Sequence, residues 1–321
     1  MIFGIWPGVV QGDLVDLTPM ECHPEDPRRM EDALRTLQGD AESFYLRCYR
    51  HFGPGVTPHP GARRTPADPG RYAGPGRLID LVACYQSAVP DPAGFAGFVR
   101  RSVRDVAAWG GGKVQVGEEP NAPAPQDGGS PGCLEALAAG VAAALDERTR
   151  HGAQVHVGVN AAGPADPGFW AQLLTAIGPD NAGRLDYLGL DLFPDVFHPI
   201  PEDRLGAGAR FLVDRLRSVT AELGVPEKTP IHVTETGWPT GEDRDEDKQA
   251  RVLSTVARAI LDTGEVSVYE FFGLRDGRTD GNWRTGFGLL REDYTPKPAY
   301  AEIRRLIAQQ ARHDKAFTPG S

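Results

Sequence analysis

Short runs rich in Val, Ile, Leu and aromatic residues alternate along this chain with longer runs whose apolar residues recur at helical spacing. The short runs predict eight strands: Ile2–Ile5, Ser43–Tyr49, Leu78–Tyr85, Val114–Gly117, Val155–Val159, Leu185–Leu192, Ile231–Thr234 and Val266–Phe272. The longer runs predict helices over Pro27–Gln38, Phe95–Trp109, Leu134–Leu145, Phe169–Ile177, Leu205–Leu223, Asp247–Leu261 and Ala299–Gln310. Pro24 and Asp26 suit the start of the first helix, and Gly224 suits the end of the fifth. The stretch Phe52–Gly76 is rich in Pro, Gly and Arg, has no period, and reads as a long loop. A loop of that length inside a compact domain is usually functional, so it is expected to border a cleft, with Arg63, Arg64 and Arg71 available to an acidic group.

Repeated strand–helix units favour a parallel sheet, and eight of them favour closure into a TIM barrel. A doubly wound open sheet would carry a GxGxxG loop after the first strand, and Gly4-Ile-Trp-Pro-Gly8 does not supply one. No linker or repeat divides the chain. The expected fold is therefore α/β, a single-domain (β/α)8 barrel over residues 1–312, with 313–321 as a tail.

Composition narrows the function classes. With 40% hydrophobic and 24% charged residues the chain is globular, and its net charge of −10 argues against nucleic acid and against an anionic membrane surface. No apolar run approaches a membrane span. The N-terminus runs straight into a strand with no signal-peptide pattern, so a cytoplasmic location is expected. Cys22, Cys48, Cys84 and Cys133 form no CxxC, which predicts neither a zinc site nor a disulfide scaffold. Cys48 and Cys84 fall on neighbouring strands and read as small buried apolar residues.

Two stretches carry the chemistry. Val114-Gln-Val-Gly-Glu-Glu-Pro-Asn121 is an apolar strand that ends in two carboxylates and a strand-breaking proline. Ile231-His-Val-Thr-Glu-Thr-Gly-Trp-Pro239 is a second strand that ends in a carboxylate. At the C-terminal ends of the fourth and seventh strands of a barrel, Glu119 and Glu235 would face one cleft. Cleavage of a glycosidic bond needs such a pair, one protonated to serve the leaving oxygen and one ionised.

Glu118-Glu119-Pro120-Asn121 resembles the Asn-Glu-Pro-Asn signature of the large clan of retaining glycoside hydrolases built on TIM barrels. Thr234-Glu235-Thr236-Gly237-Trp238 resembles the clan's strand-7 nucleophile segment, and Phe287-Gly-Leu-Leu-Arg-Glu-Asp-Tyr-Thr-Pro-Lys-Pro-Ala-Tyr300 its segment after strand 8. The resemblance implies that Glu119 is the acid/base and Glu235 the nucleophile. It covers most of the chain and selects no single family. The chain departs from the pattern at Glu118, where the clan has an Asn that holds the sugar 2-hydroxyl. A carboxylate there accepts but cannot donate as an amide does, and its charge favours the protonated form of the neighbouring acid.

The expected activity is retaining hydrolysis of a small soluble glycoside or oligosaccharide, with no metal and no organic cofactor. A non-catalytic sugar-binding barrel and a transglycosidase using the same glutamates are the rivals. The sequence carries no signal for an oligomeric state. Glu118, Asn121, Arg47, Asn160, Trp238 and Trp283 are candidate substrate contacts, the two tryptophans by stacking on sugar faces. Tyr49, His51, Gln86 and Asp191 also lie near strand ends. Glu270, inside the last strand, needs a partner, for which Arg275 is a candidate; His232 reads as a packed strand histidine.

Overall fold

The eight apolar runs form eight strands that close on themselves in sequence order. They are β1 (Ile2–Ile5), β2 (Phe44–Phe52), β3 (Arg77–Tyr85), β4 (Gly112–Val116), β5 (Val155–Ala162), β6 (Tyr187–Leu192), β7 (Ile231–Thr236) and β8 (Val266–Phe271). Every neighbouring pair is parallel, including β1 with β8. The computed structural model describes the chain except residues 11–19, 54–62, 65, 67, 152–153, 164–165 and 318–321. The expected (β/α)8 barrel is therefore the fold, with strand boundaries that shift by a few residues. β2 and β7 run further than their apolar patterns, so that Glu235 lies within a strand and not after it.

Outside the barrel lie α1 (Pro27–Gln38), α2 (Pro92–Ala108), α3 (Cys133–His151), α4 (Pro167–Ile177), α5 (Leu205–Glu222), α6 (Glu246–Leu261) and α7 (Pro298–Phe317). Asp26 caps α1 by accepting from the Arg28 and Arg29 amides, each at 3.0 Å, and α1 buries Met30, Leu34 and Leu37 on one face. The last helix continues to Phe317, past Gln310, where the sequence pattern ends it, and into the expected tail.

Among the described residues no α-helix joins β2 to β3. This connection is the Pro/Gly/Arg-rich stretch. Arg63–Arg64 pairs antiparallel with Val9–Val10 in a small ribbon, and Pro69–Tyr72 is a 3-10 turn. Tyr72 is buried and donates to Glu25 at 2.9 Å, and the Arg71 guanidinium lies over the Tyr72 ring at 5.9 Å. That half is packed onto the body. Residues 54–62 and the side chains of Arg63 and Arg64, which the lid expectation needs, lie outside the described residues.

The barrel interior is charged at mid-height. Lys113 on β4 reaches Glu270 on β8 at 2.6 Å and Asp80 on β3 at 3.4 Å, with no exposure at any of the three. Its ammonium also sits over the Tyr45 and Tyr187 rings, at 4.6 and 5.2 Å. Tyr187 in turn stacks on His232 at 4.1 Å, and burial pushes that imidazole well below its usual range, so it packs as a neutral ring. Gly158 leaves room for this layer, because a Cβ there would stand 2.5 Å from the Tyr187 ring. Lys113, not Arg275, is thus the partner of Glu270; Arg275 donates to the backbone oxygens of His23 and Glu292. In register Cys48 faces Leu81 and Cys84 faces His51.

Burial, then the charge of Asp80, push Glu270 up to about 8. Burial also works against ionised Asp80, but Lys113 and Arg47 outweigh it and hold that carboxyl below its usual range. Glu270 therefore keeps a proton that the unfolded chain loses near 4.5. Its contribution to stability is full below that value, declines as pH rises, and is gone above about 8. Glu270→Gln should flatten this decline, so its urea midpoint should vary less than the wild type's across that window.

Candidate active site

At the upper end of the barrel, Arg47 on β2 organises a set of buried carboxylates. Its Nη1 donates to Asp80 Oδ2 at 2.7 Å and to Gln115 Oε1 at 3.1 Å. Its Nη2 donates to Glu118 Oε2 at 2.9 Å. Its Nε reaches Tyr49 Oη at 2.9 Å and Glu235 Oε1 at 3.3 Å. The Tyr49 hydroxyl donates to the same Glu235 oxygen. Burial opposes the guanidinium charge, but Tyr49, Glu118, Asp80 and Glu235 hold it above its ordinary value. Arginine suits this place because its planar fork presents five donors at fixed angles.

Two local distortions deliver the glutamates. β4 ends at Val116, and the chain then turns through Gly117 at φ 86 and Glu119 at φ 43. Both are left-handed, and a Cβ on Gly117 would also stand 2.2 Å from Leu137 of α3. The turn breaks strand alternation, so Glu118 enters the lumen beside Gln115 (Nε2 to Glu118 Oε2, 2.9 Å) while Glu119 lies above it. Asp127 pins the turn, its Oδ2 accepting from the Glu118 amide at 2.8 Å and the Tyr85 amide at 2.7 Å. Gln126 donates to Glu119 Oε2 at 2.6 Å.

The second distortion is in β7, which holds one residue more than its neighbours between Val233 and Thr236. Because of this bulge both Thr234 and Glu235 meet Asp191 of β6. Glu235 is its register partner, and Thr234 Oγ1 donates to Asp191 Oδ1 at 2.6 Å. Asp191 Oδ2 accepts from Asn160 Nδ2 at 2.6 Å, and Asn160 Oδ1 accepts from the Glu119 amide at 3.0 Å. An unbroken path of hydrogen bonds thus runs from Glu119 through Asn160 and Asp191 to the residue before Glu235. Carboxylate oxygens of Glu118, Asp191 and Glu235 lie within 4.8 Å of one another.

Of the sequence candidates, Glu118, Glu119, Glu235, Arg47 and Asn160 come together here. Asn121 does not join them: its amide donates to the Ala162 carbonyl at 2.9 Å and accepts from the Ala162 amide at 2.8 Å, clamping the β4 turn to β5. Trp238 is only 1% exposed, with its ring covered by Arg244 and Lys248 at 4.9 and 5.0 Å and its Nε1 donating to Asp195. It is a packing residue and offers no face to a sugar. Trp283 is partly buried, beside Phe287 at 6.3 Å. Gln86 donates to the Pro125 carbonyl at 2.9 Å. Sequence reading left the orientation of Asp191 open and passed over Gln115, Gln126 and Asp127. Polar residues inside otherwise apolar strands were the available signal for Asp80, Lys113 and Gln115.

No family model and no curated protein matches the sequence. Solved structures do match in fold. A glucosidase from Croceicoccus marinus superposes with a TM-score of 0.66 at 17% identity, covering 97% of this chain and 71% of that one. A family 39 glycoside hydrolase from Bacteroides cellulosilyticus gives 0.63 at 17% identity, covering 90% of this chain and 62% of its own. A Bacteroides uniformis β-glucuronidase gives 0.60 at 13% identity, and this chain spans only 35% of its length. The likeness at these identities is one of fold, a closed parallel barrel shared with glycosidases.

Arg47→Ala would leave Asp80, Glu118 and Glu235 buried without their shared cation. It should destabilise the protein by about 3–5 kcal/mol, read from urea unfolding at neutral pH. Arg47→Lys should recover little of this, because one ammonium cannot reach the same acceptors.

Proposed function

We propose that the chain is a retaining glycoside hydrolase in which Glu119 is the acid/base and Glu235 the nucleophile. The supporting observation is the hydrogen-bonded path Glu119–Asn160–Asp191–Thr234, which ties two buried glutamates from opposite halves of the sequence into one end of one barrel. The fold neighbours named for glucosidase and glucuronidase activity point the same way.

In this reading Glu119, protonated, donates to the leaving oxygen while Glu235 attacks the anomeric carbon and forms a glycosyl ester. Glu119, now ionised, takes a proton from water, which attacks the same carbon and frees Glu235. Arg47 and Tyr49 both donate to Glu235 Oε1 and so orient the nucleophile. Glu118, close to Glu235, faces the C2 group of the sugar. As an acceptor it suits a hydroxyl or amino group and repels an acetamido oxygen or a carboxylate. Arg47 already balances its charge, so the hydroxyl is the better fit. The substrate class is a small glycoside or oligosaccharide.

Glu235→Ala should abolish turnover of every aryl glycoside. Glu119→Ala should lose about 10²–10⁴-fold on poor leaving groups and far less on good ones, which need no proton. Equal losses on both would remove Glu119 from the acid role. A crystal structure should find the two carboxyl groups about 5–5.5 Å apart, the spacing of a retaining pair. Glu118→Asn should raise activity on ordinary glucosides or galactosides; unchanged kinetics would take Glu118 out of the C2 subsite.

A further inference from the structure

A row of aromatic rings leads from Glu235 to the surface. Tyr49, which donates to Glu235 Oε1, meets Trp6 edge-on with ring centroids 5.6 Å apart. Trp6 stacks on Phe272 at 4.6 Å, and Phe272 meets Phe193 edge-on at 5.7 Å. Phe193 in turn meets Phe197 at 5.9 Å. Tyr49, Trp6 and Phe272 are buried and Phe193 is half-buried, whereas Phe197 is 58% exposed. Trp6 follows β1, Phe193 follows β6 and Phe272 follows β8, so the row crosses the end of the barrel where Glu235 lies. It also packs on the segment that carries Glu235. A Cβ on Gly237, two residues further on, would stand 3.2 Å from the Phe193 ring and 2.9 Å from that of Phe287.

A single exposed apolar side chain is ordinary on a protein surface. Among the described residues Val89, Phe197, Phe211 and Leu223 are large, apolar and exposed, and only Phe197 joins this row. Its turn is also fixed in place. Asp195, left-handed at φ 59, accepts from the Ile200 amide at 3.1 Å, from Trp238 Nε1 at 3.2 Å and from Lys248 Nζ at 3.3 Å. Arg244 donates to the Asp195 carbonyl at 3.3 Å. A ring held in position beforehand costs a ligand little ordering. Trp283, the sequence candidate for stacking, already has the guanidiniums of Arg244 and Arg284 over its ring at 5.5 and 5.1 Å.

We propose that Phe197, backed by Phe193, is a specificity-determining face that stacks the second ring of the glycoside, the one joined to the sugar that reacts at Glu235. This rests on the glycosidase reading of the site. The C–H face of a pyranose and the face of an aryl ring are both flat and apolar, and either one gains contact on an aromatic side chain. A disaccharide or an aryl glycoside therefore fits, and a glycoside of a small alcohol gains nothing from Phe197. Contact this far from the reacting carbon holds the ground state and the transition state alike, so its loss falls on KM.

The test uses two variants and two kinds of two-ring probe. Phe197→Trp keeps a stacking face and makes it fluorescent. Its emission, less that of the wild type, should shift on titration with phenyl β-glycosides of glucose, galactose or glucuronic acid, or with cellobiose or lactose. The matching methyl β-glycosides, which have one ring, should leave it unmoved. In Phe197→Ala the preference for the two-ring probe over its methyl counterpart should fall about tenfold. The thermal midpoint should stay where it is, because the side chain is exposed. A shift with the phenyl glycosides alone supports the proposal with an aryl group as the second ring, and a shift with the disaccharides alone supports it with a sugar. If no two-ring probe shifts the emission, or if Phe197→Ala keeps the full preference, the proposal is overturned. Binding is read without turnover. A preference that depends on Phe197, in a protein that hydrolyses none of the probes, would count against the hydrolase reading and not against the stacking face.

Discussion

The guanidinium of Arg47 is the constraint on which the site depends. It lies wholly inside the barrel and contacts groups from β2, β3, β4 and β7. One contact, Asp80, belongs to the Lys113–Glu270 layer below; two others, Glu118 and Glu235, belong to the level above it. Burying that many charges is unfavourable unless each is matched. Arg47 therefore couples the level of Glu118 and Glu235 to the layer beneath it.

The barrel makes this stacking possible because its lumen receives alternate side chains from every strand at common heights. Asp80, Lys113 and Glu270 form one level. Glu118, Asp191 and Glu235 form the next. Regular strands would bring only every second residue inward, and the site departs from that rule twice: at the left-handed turn after β4 and at the extra residue in β7. Each departure brings in a second polar side chain where the pleat allows one.

The eight strands and most helices were legible because a parallel barrel writes them as apolar runs and amphipathic periods. The two glutamates were legible because each stands in a short motif at a strand end. What was hidden follows from the same architecture. Strands buried on both faces lose the alternation that tells lumen from helix layer, so nothing in Leu-Gly-Leu-Asp-Leu said which way Asp191 points. Nor does a bulge register in hydrophobicity, so nothing in the sequence said that Thr234 and Glu235 both meet Asp191. Trp238 and Asn121 were misread because a motif gives position along the chain and not what lies above the side chain: Arg244 and Lys248 cover one, and the Ala162 backbone occupies the other. Among the described residues no helix joins β2 to β3, and the sequence shows no period there.

Gly117 reaches further than the cleft. Its bare Cα lies against Leu137 of α3, and the turn that aims Glu118 and Glu119 forms against that helix. The bearing of Glu118 and Glu119 is thus set partly by a leucine in the outer layer. In a directed-evolution campaign, a library confined to lumen-facing codons would leave out Leu137, the outer-layer position packed directly behind the turn that carries Glu118 and Glu119.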